Sequence, residues 1–207
     1  MDVAKFKAMC DAGLVQDGAV LLFAGDSWLA QAIKWFSGRF NHAAQIWRAE
    51  SGQWVLGEST FEGNLLRPRV NGPQIIPMFP RLQVSNQRVW LVEWTVAPRP
   101  EQVATIQAEW AAMDPMPYGV HEIAAWIPIL AAVRFYTVGL GRFLPWKNWR
   151  LKRLNEQAPW AIGNGIVCSQ AVARACVAAG LVVGINAMAT TPDDIADWPG
   201  TMATVEL

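Results

Sequence analysis

The chain alternates between short apolar runs and polar turns over its first hundred residues, then becomes helical in pattern. Val20-Leu21-Leu22-Phe23 is apolar at four successive positions and is followed by Gly25-Asp26, the pattern of a buried strand running into a turn. Ser27 stands where a helix through about Phe36 needs a capping hydroxyl. Ala43-Ala44-Gln45-Ile46-Trp47 and Trp54-Val55-Leu56 flank the polar Ala49-Glu50-Ser51-Gly52, which predicts an antiparallel hairpin with His42 and Glu58 at its outer ends. The span from Leu65 to Pro80 carries Pro68, Pro73, Pro77 and Pro80 and reads as a long connection, and Val89 to Val96 as a further strand.

Beyond Pro98 and Pro100 the period changes. Val103, Ile106 and Trp110 lie on one side of a helix over Glu101 to Met113, which Asp114-Pro115-Met116-Pro117 ends. Tyr118 to about Gly139 is apolar with Pro128 inside it, a kinked helix or two short ones. Ile166 to Ala179 is a strong helix former that stops at Gly180, and Thr191-Pro192-Asp193-Asp194 has the cap, proline and acids of a last short helix. Strands and helices read in this way give an α+β chain, its hairpin strands antiparallel.

A length of 207 residues suits a single domain with one core. No repeat or low-complexity tract divides it. Hydrophobic residues make up 53% of the chain and 12 are Trp, so much of that indole must be buried or must face a ligand or membrane. Lys plus Arg equals Asp plus Glu at 17 each, which removes the positive field a nucleic-acid partner requires. The three cysteines, Cys10, Cys168 and Cys176, are odd in number, and the last two share one helix too far apart for a disulfide, so a reducing compartment is the simpler expectation. The first residues lack the basic and apolar regions of a signal peptide, and the apolar run from Ile123 to Val133 is about half the length a bilayer demands. The expected location is cytoplasmic, with a phage or effector origin left open.

Cys168 falls in the first turn of its helix, where the dipole and free amides favour a thiolate. Position alone also fits a small buried residue, the commoner role of an isolated cysteine and the one expected of Cys10 and Cys176. A nucleophilic cysteine needs a base, and only His42 and His121 are on offer. His42 opens a strand, whereas His121 lies in an apolar helical stretch and can be a core residue. Glu58, at the end of the neighbouring strand, is close enough in such a hairpin to hold an imidazole in one tautomer.

Four segments in order carry a resemblance: Asp17-Gly18-Ala19-Val20-Leu21-Leu22-Phe23, Asn41-His42-Ala43-Ala44, Val55-Leu56-Gly57-Glu58-Ser59 and Val167-Cys168-Ser169-Gln170-Ala171-Val172. Together with Thr191-Pro192-Asp193-Asp194-Ile195-Ala196, they resemble the circularly permuted NlpC-type papain-like cysteine hydrolases, related to lecithin:retinol acyltransferase-like and YiiX-like bacterial proteins. The resemblance covers most of the chain. It implies a permuted papain-like fold with the nucleophile at a helix N-terminus, and a Cys168, His42, Glu58 triad in which histidine and acid precede the cysteine. Val167, where relatives often carry an aromatic residue, and the inverted Asp17-Gly18 depart from the pattern.

The resemblance further implies attack on an amide or ester carbonyl with no metal or cofactor, and it leaves the substrate open among peptidoglycan peptides, other amides and lipid esters. Tyr118, His121 and Ser169 are added as candidates for contact with substrate. A lipid-acting acyltransferase at a membrane surface, or a silent binding protein of phage type, are the competing classes. An insertion over roughly 98–160 is expected to cover the cleft. Within it, residues 144–153 mix Trp146 and Trp149 with Lys and Arg, as a peripheral membrane contact would. Leu21 to Trp28 also resembles the opening block of GDS-type esterases, with Ser27 attacking, but no histidine follows His121 to serve that serine. Oligomeric state is not legible.

Overall fold

A strand that is apolar at every position, rather than at alternate ones, needs cover on both faces. Val20–Ala24 forms such a strand, β1, buried throughout and central in an antiparallel six-stranded sheet of order β4-β3-β2-β1-β5-β6. The other strands are β2 (His42–Arg48), β3 (Trp54–Thr60), β4 (Gly72–Pro77), β5 (Arg88–Val92) and β6 (Val205–Glu206). This computed structural model describes residues 1–27, 30–31, 34, 38–60, 72–114, 116–119, 166–202 and 204–207. The expected helical stretch from Tyr118 to Gly139 lies almost wholly outside them, as does the whole of 144–153.

Two helical layers supply the cover. On one face α1 (Val3–Asp11) and α2 (Met78–Gln83) bring Phe6, Met78 and Leu82 against Leu21, Phe23, Ile46 and Leu56. On the other, α3 (Pro100–Met113) and α4 (Cys168–Ala178) pack Ile106, Trp110 and Val172 against Val20, Leu22 and Trp47. The architecture is α+β. A 3-10 turn (Ala187–Ala189) and α5 (Pro192–Ala196) follow α4. Among the described residues, no helix is long and apolar enough to cross a membrane.

The expected hairpin is present. Ala49 donates its amide to the Gln53 carbonyl at 2.9 Å, and Gly52 takes the left-handed φ of +81° that the turn between β2 and β3 requires. Ala44 faces Glu58 across the ladder, so His42 and Glu58 sit at the same end of the sheet.

Two expectations are corrected. The proline-rich stretch up to Pro80 is not wholly a connection: Gly72–Pro77 is strand β4 and Met78–Gln83 is α2. Its prolines are tolerated because β4 pairs only with β3 and lies at the sheet's edge, where a missing N–H leaves no partner wanting. The strand expected from Val89 to Val96 stops at Val92, since the Gln16 side chain takes over the pairing of Trp94: it accepts the Trp94 amide and donates to its carbonyl, both at 3.0 Å. Of the region expected to cover the cleft, roughly 98–160, the described part holds α3, whose Ile106, Trp110 and Met113 are buried in the core, and residues 120–160 lie outside the described residues.

Candidate active site

Burial of α4 from Cys168 through Ala173 fixes where its first turn lies, and side chains on either side brace it. Ser59, on β3, donates its hydroxyl to the Ile166 carbonyl at 2.8 Å. Gln170 accepts the Val167 amide at 3.1 Å, satisfying a donor at the helix start, and donates to Met188 O at 2.8 Å. Ser169, expected to touch substrate, is 3% exposed and donates its hydroxyl to Thr190 O at 2.7 Å, so its side chain acts as a further brace.

The sulfur of Cys168 meets the imidazole of His42 and accepts from the backbone amides of Ala43 and Ser169. Burial alone would push this thiol up; the His42 charge and hydrogen bond, with the two amides, outweigh burial and hold it below its ordinary 9.0. Burial would in turn push His42 down, but the Cys168 charge and hydrogen bond, followed by those of Glu58, raise it from 6.5 to about 10. Both shifts favour a thiolate beside an imidazolium.

The His42 side chain is 12% exposed, and Phe23, its partner across the ladder, sets its ring centroid 5.2 Å away. Nε2 of His42 lies 3.0 Å from Glu58 Oε2, which leaves Nδ1 for the sulfur. Glu58 is 1% exposed, and its other oxygen accepts from Arg81 Nε at 2.8 Å and from Gln74 Nε2 at 3.4 Å. Burial would raise this carboxyl; the hydrogen bonds and charges of His42 and Arg81 pull it from 4.5 to about 2. Glu58 is therefore ionised above about pH 2, across the range in which His42 is charged up to about pH 10.

Tyr118 is held near the nucleophile by a parallel bridge to Ile166, two residues before Cys168. Burial and the Cys168 charge both push its phenol up, so it stays protonated. His121 lies outside the described residues. Arg81 and Gln74 were not found from sequence. Arg81 carried no signal, following Pro80 in what reads as a loop, whereas Gln74 faces Glu58 only through the β3 to β4 register.

Among the described residues no group of three or more His, Cys, Asp and Glu is placed to hold a metal ion. No family model and no curated protein matches the chain. Among solved structures it is similar to one described as the metalloprotein yiiX from Escherichia coli O157:H7, at 12% identity and a TM-score of 0.45, over 92% of this chain and 96% of that one. At that identity and score the likeness lends no residue of this chain a role.

Proposed function

We propose that this chain is a cysteine hydrolase of permuted papain-like type, acting on an amide or ester carbonyl with Cys168 as nucleophile, His42 as acid and base, and Glu58 as the group that orients His42. The observation that carries the proposal is geometric: Cys168, buried at the first turn of α4, meets His42, whose Nε2 lies 3.0 Å from the buried Glu58 Oε2. The order of the motifs, with His42 and Glu58 on strands ahead of Cys168, supports the permuted assignment.

In this mechanism the thiolate attacks the carbonyl carbon, a C–S bond forms, and the C=O electron pair moves to oxygen. Backbone N–H groups at the helix start, the Cys168 amide among them, would receive that oxyanion. Collapse breaks the bond to the leaving amine or alkoxide, and the His42 imidazolium supplies its proton. Neutral His42 then takes a proton from water as it attacks the thioester; the acid leaves, and that proton restores the ion pair. Peptidoglycan peptides are one amide class that fits, and lipid esters another.

The test is alkylation of Cys168 by iodoacetamide near pH 6, located by mass spectrometry, in the wild type and in His42→Ala. Rapid labelling that the substitution abolishes supports the reading. Labelling of Cys168 as slow as that of an ordinary thiol would sink it.

A further inference from the structure

A buried carboxylate beside an imidazole can do one of two things. It can stay ionised and orient the ring, or it can take up a proton and lose its hold. Glu58 is 1% exposed, well inside the range where the second outcome is the default for an acid with no cationic partner. What opposes this default is Arg81, whose Nε lies 2.8 Å from Oε1 while Oε2 faces His42 Nε2 at 3.0 Å. The two oxygens are thus divided, one to each partner.

From this division we infer that Arg81 is a positioning residue of the active pair: it neutralises and pins Glu58 so that the carboxylate orients His42. The inference rests on the function proposed above. It adds a fourth member, on α2, to a row running Arg81, Glu58, His42, Cys168, in which the charges alternate in sign and cancel. Without the guanidinium the row would carry a net negative charge in a site where Glu58 and Cys168 are buried at 1% and 5% exposure. The Arg81 side chain is itself 23% exposed, so it reaches the carboxylate from the solvent side without being stranded. Gln74, also on Oε1 at 3.4 Å, adds a donor but no charge.

Arg81 acts on the sulfur only through Glu58 and His42, so its removal should move a titration as well as a rate. In Arg81→Met the acid limb of Cys168 alkylation moves to higher pH, and at any pH on that limb the rate falls about tenfold for each unit of displacement. Arg81→Lys, which keeps the charge but loses the planar fork, gives a smaller displacement.

The experiment is the pH profile of iodoacetamide labelling of Cys168 in the full chain, for wild type, Arg81→Met, Glu58→Gln and the double variant, with thermal unfolding followed in parallel. The expected result is a displaced limb in Arg81→Met and no further displacement when Arg81→Met is added to Glu58→Gln. A folded Arg81→Met with an unmoved limb overturns the inference, as does a rate lowered by one factor at every pH. Should Arg81→Met fail to fold, the double variant, which leaves no lone buried charge, decides: a profile differing from Glu58→Gln overturns the inference. A wild type with no activated Cys168 sinks the hydrolase reading itself, which separates the two failures.

Discussion

Ser59 and Ile166 are joined by a buried hydrogen bond of 2.8 Å that ties β3 to the start of α4. Ser59 follows Glu58 in the chain and Ile166 precedes Cys168 by two residues, so this bond couples the acid to the nucleophile without involving either side chain. Ser59→Ala should cost about 1 kcal/mol of stability, the loss of one such bond, since Ile166 O keeps a weaker donor in the Gly119 amide at 3.4 Å. Cys168 alkylation near pH 6 should slow more than that small loss alone would explain. Urea unfolding and the labelling rate check the two parts; an unchanged rate in a destabilised variant would remove Ser59 from the site's support.

Gly57 makes a different demand. A Cβ on it would stand 2.6 Å from the Trp110 ring and 2.8 Å from Trp47, contacts closer than side chains tolerate. Neither indole can swing away freely: Trp110 donates to Gln45 Oε1 at 3.0 Å, and both rings are buried. Gly57→Ala therefore overpacks the layer between β3 and α3 and should cost about 1–3 kcal/mol, read as a lowered unfolding midpoint. A variant as stable as wild type would mean that the indoles shift more easily than their burial and the Trp110 hydrogen bond imply.

The sequence and the structure agree most where chemistry is local. The β2 to β3 hairpin, the cap at Thr191 and the stop at Gly180 each depend on residues within a few positions, and each was legible. His42, Glu58 and Cys168 were named from element ends and a family resemblance, and the fold brings them together. The prolines of β4 misled because a breaker signal says nothing about whether a strand lies at a sheet edge. Arg81 was invisible for a related reason: its value comes from reaching a carboxylate 23 positions away in sequence, through a helix that the same prolines concealed. Ser169 shows the converse, a polar neighbour of the nucleophile whose hydroxyl is engaged by Thr190.

The three cysteines should differ sharply in reactivity. Burial, helped by Asp11, pushes the Cys10 thiol up to about 11, and burial pushes Cys176 up to about 12 despite the Gln45 amide at 3.4 Å. Only Cys168 is shifted down. Limited iodoacetamide treatment of native protein between pH 6 and 8 should give a single adduct on Cys168, with the other two labelled only after unfolding. Peptide mapping reads this directly, and an adduct on Cys10 at a comparable rate would contradict the assigned electrostatics.

The ion pair should also leave its mark on stability against pH, and the signs can be followed group by group. His42, raised from 6.5 to about 10, contributes stability that is complete below 6.5 and is lost as pH rises through about 10. Cys168, lowered from 9.0, contributes stability that is complete above 9.0 and is lost as pH falls through its folded value. Between 6.5 and 9.0 the two trends cancel, because the folded and unfolded pair each hold one proton. From 6.5 down to the folded value of Cys168 the unfolded pair holds one more, so stability falls by about 1.4 kcal/mol per pH unit. Glu58, lowered from 4.5 to about 2, adds a second loss only below 4.5. Urea unfolding at half-unit steps checks this: a wild type equally stable at pH 5.5 and 7.5 would mean that the pair is not ionised.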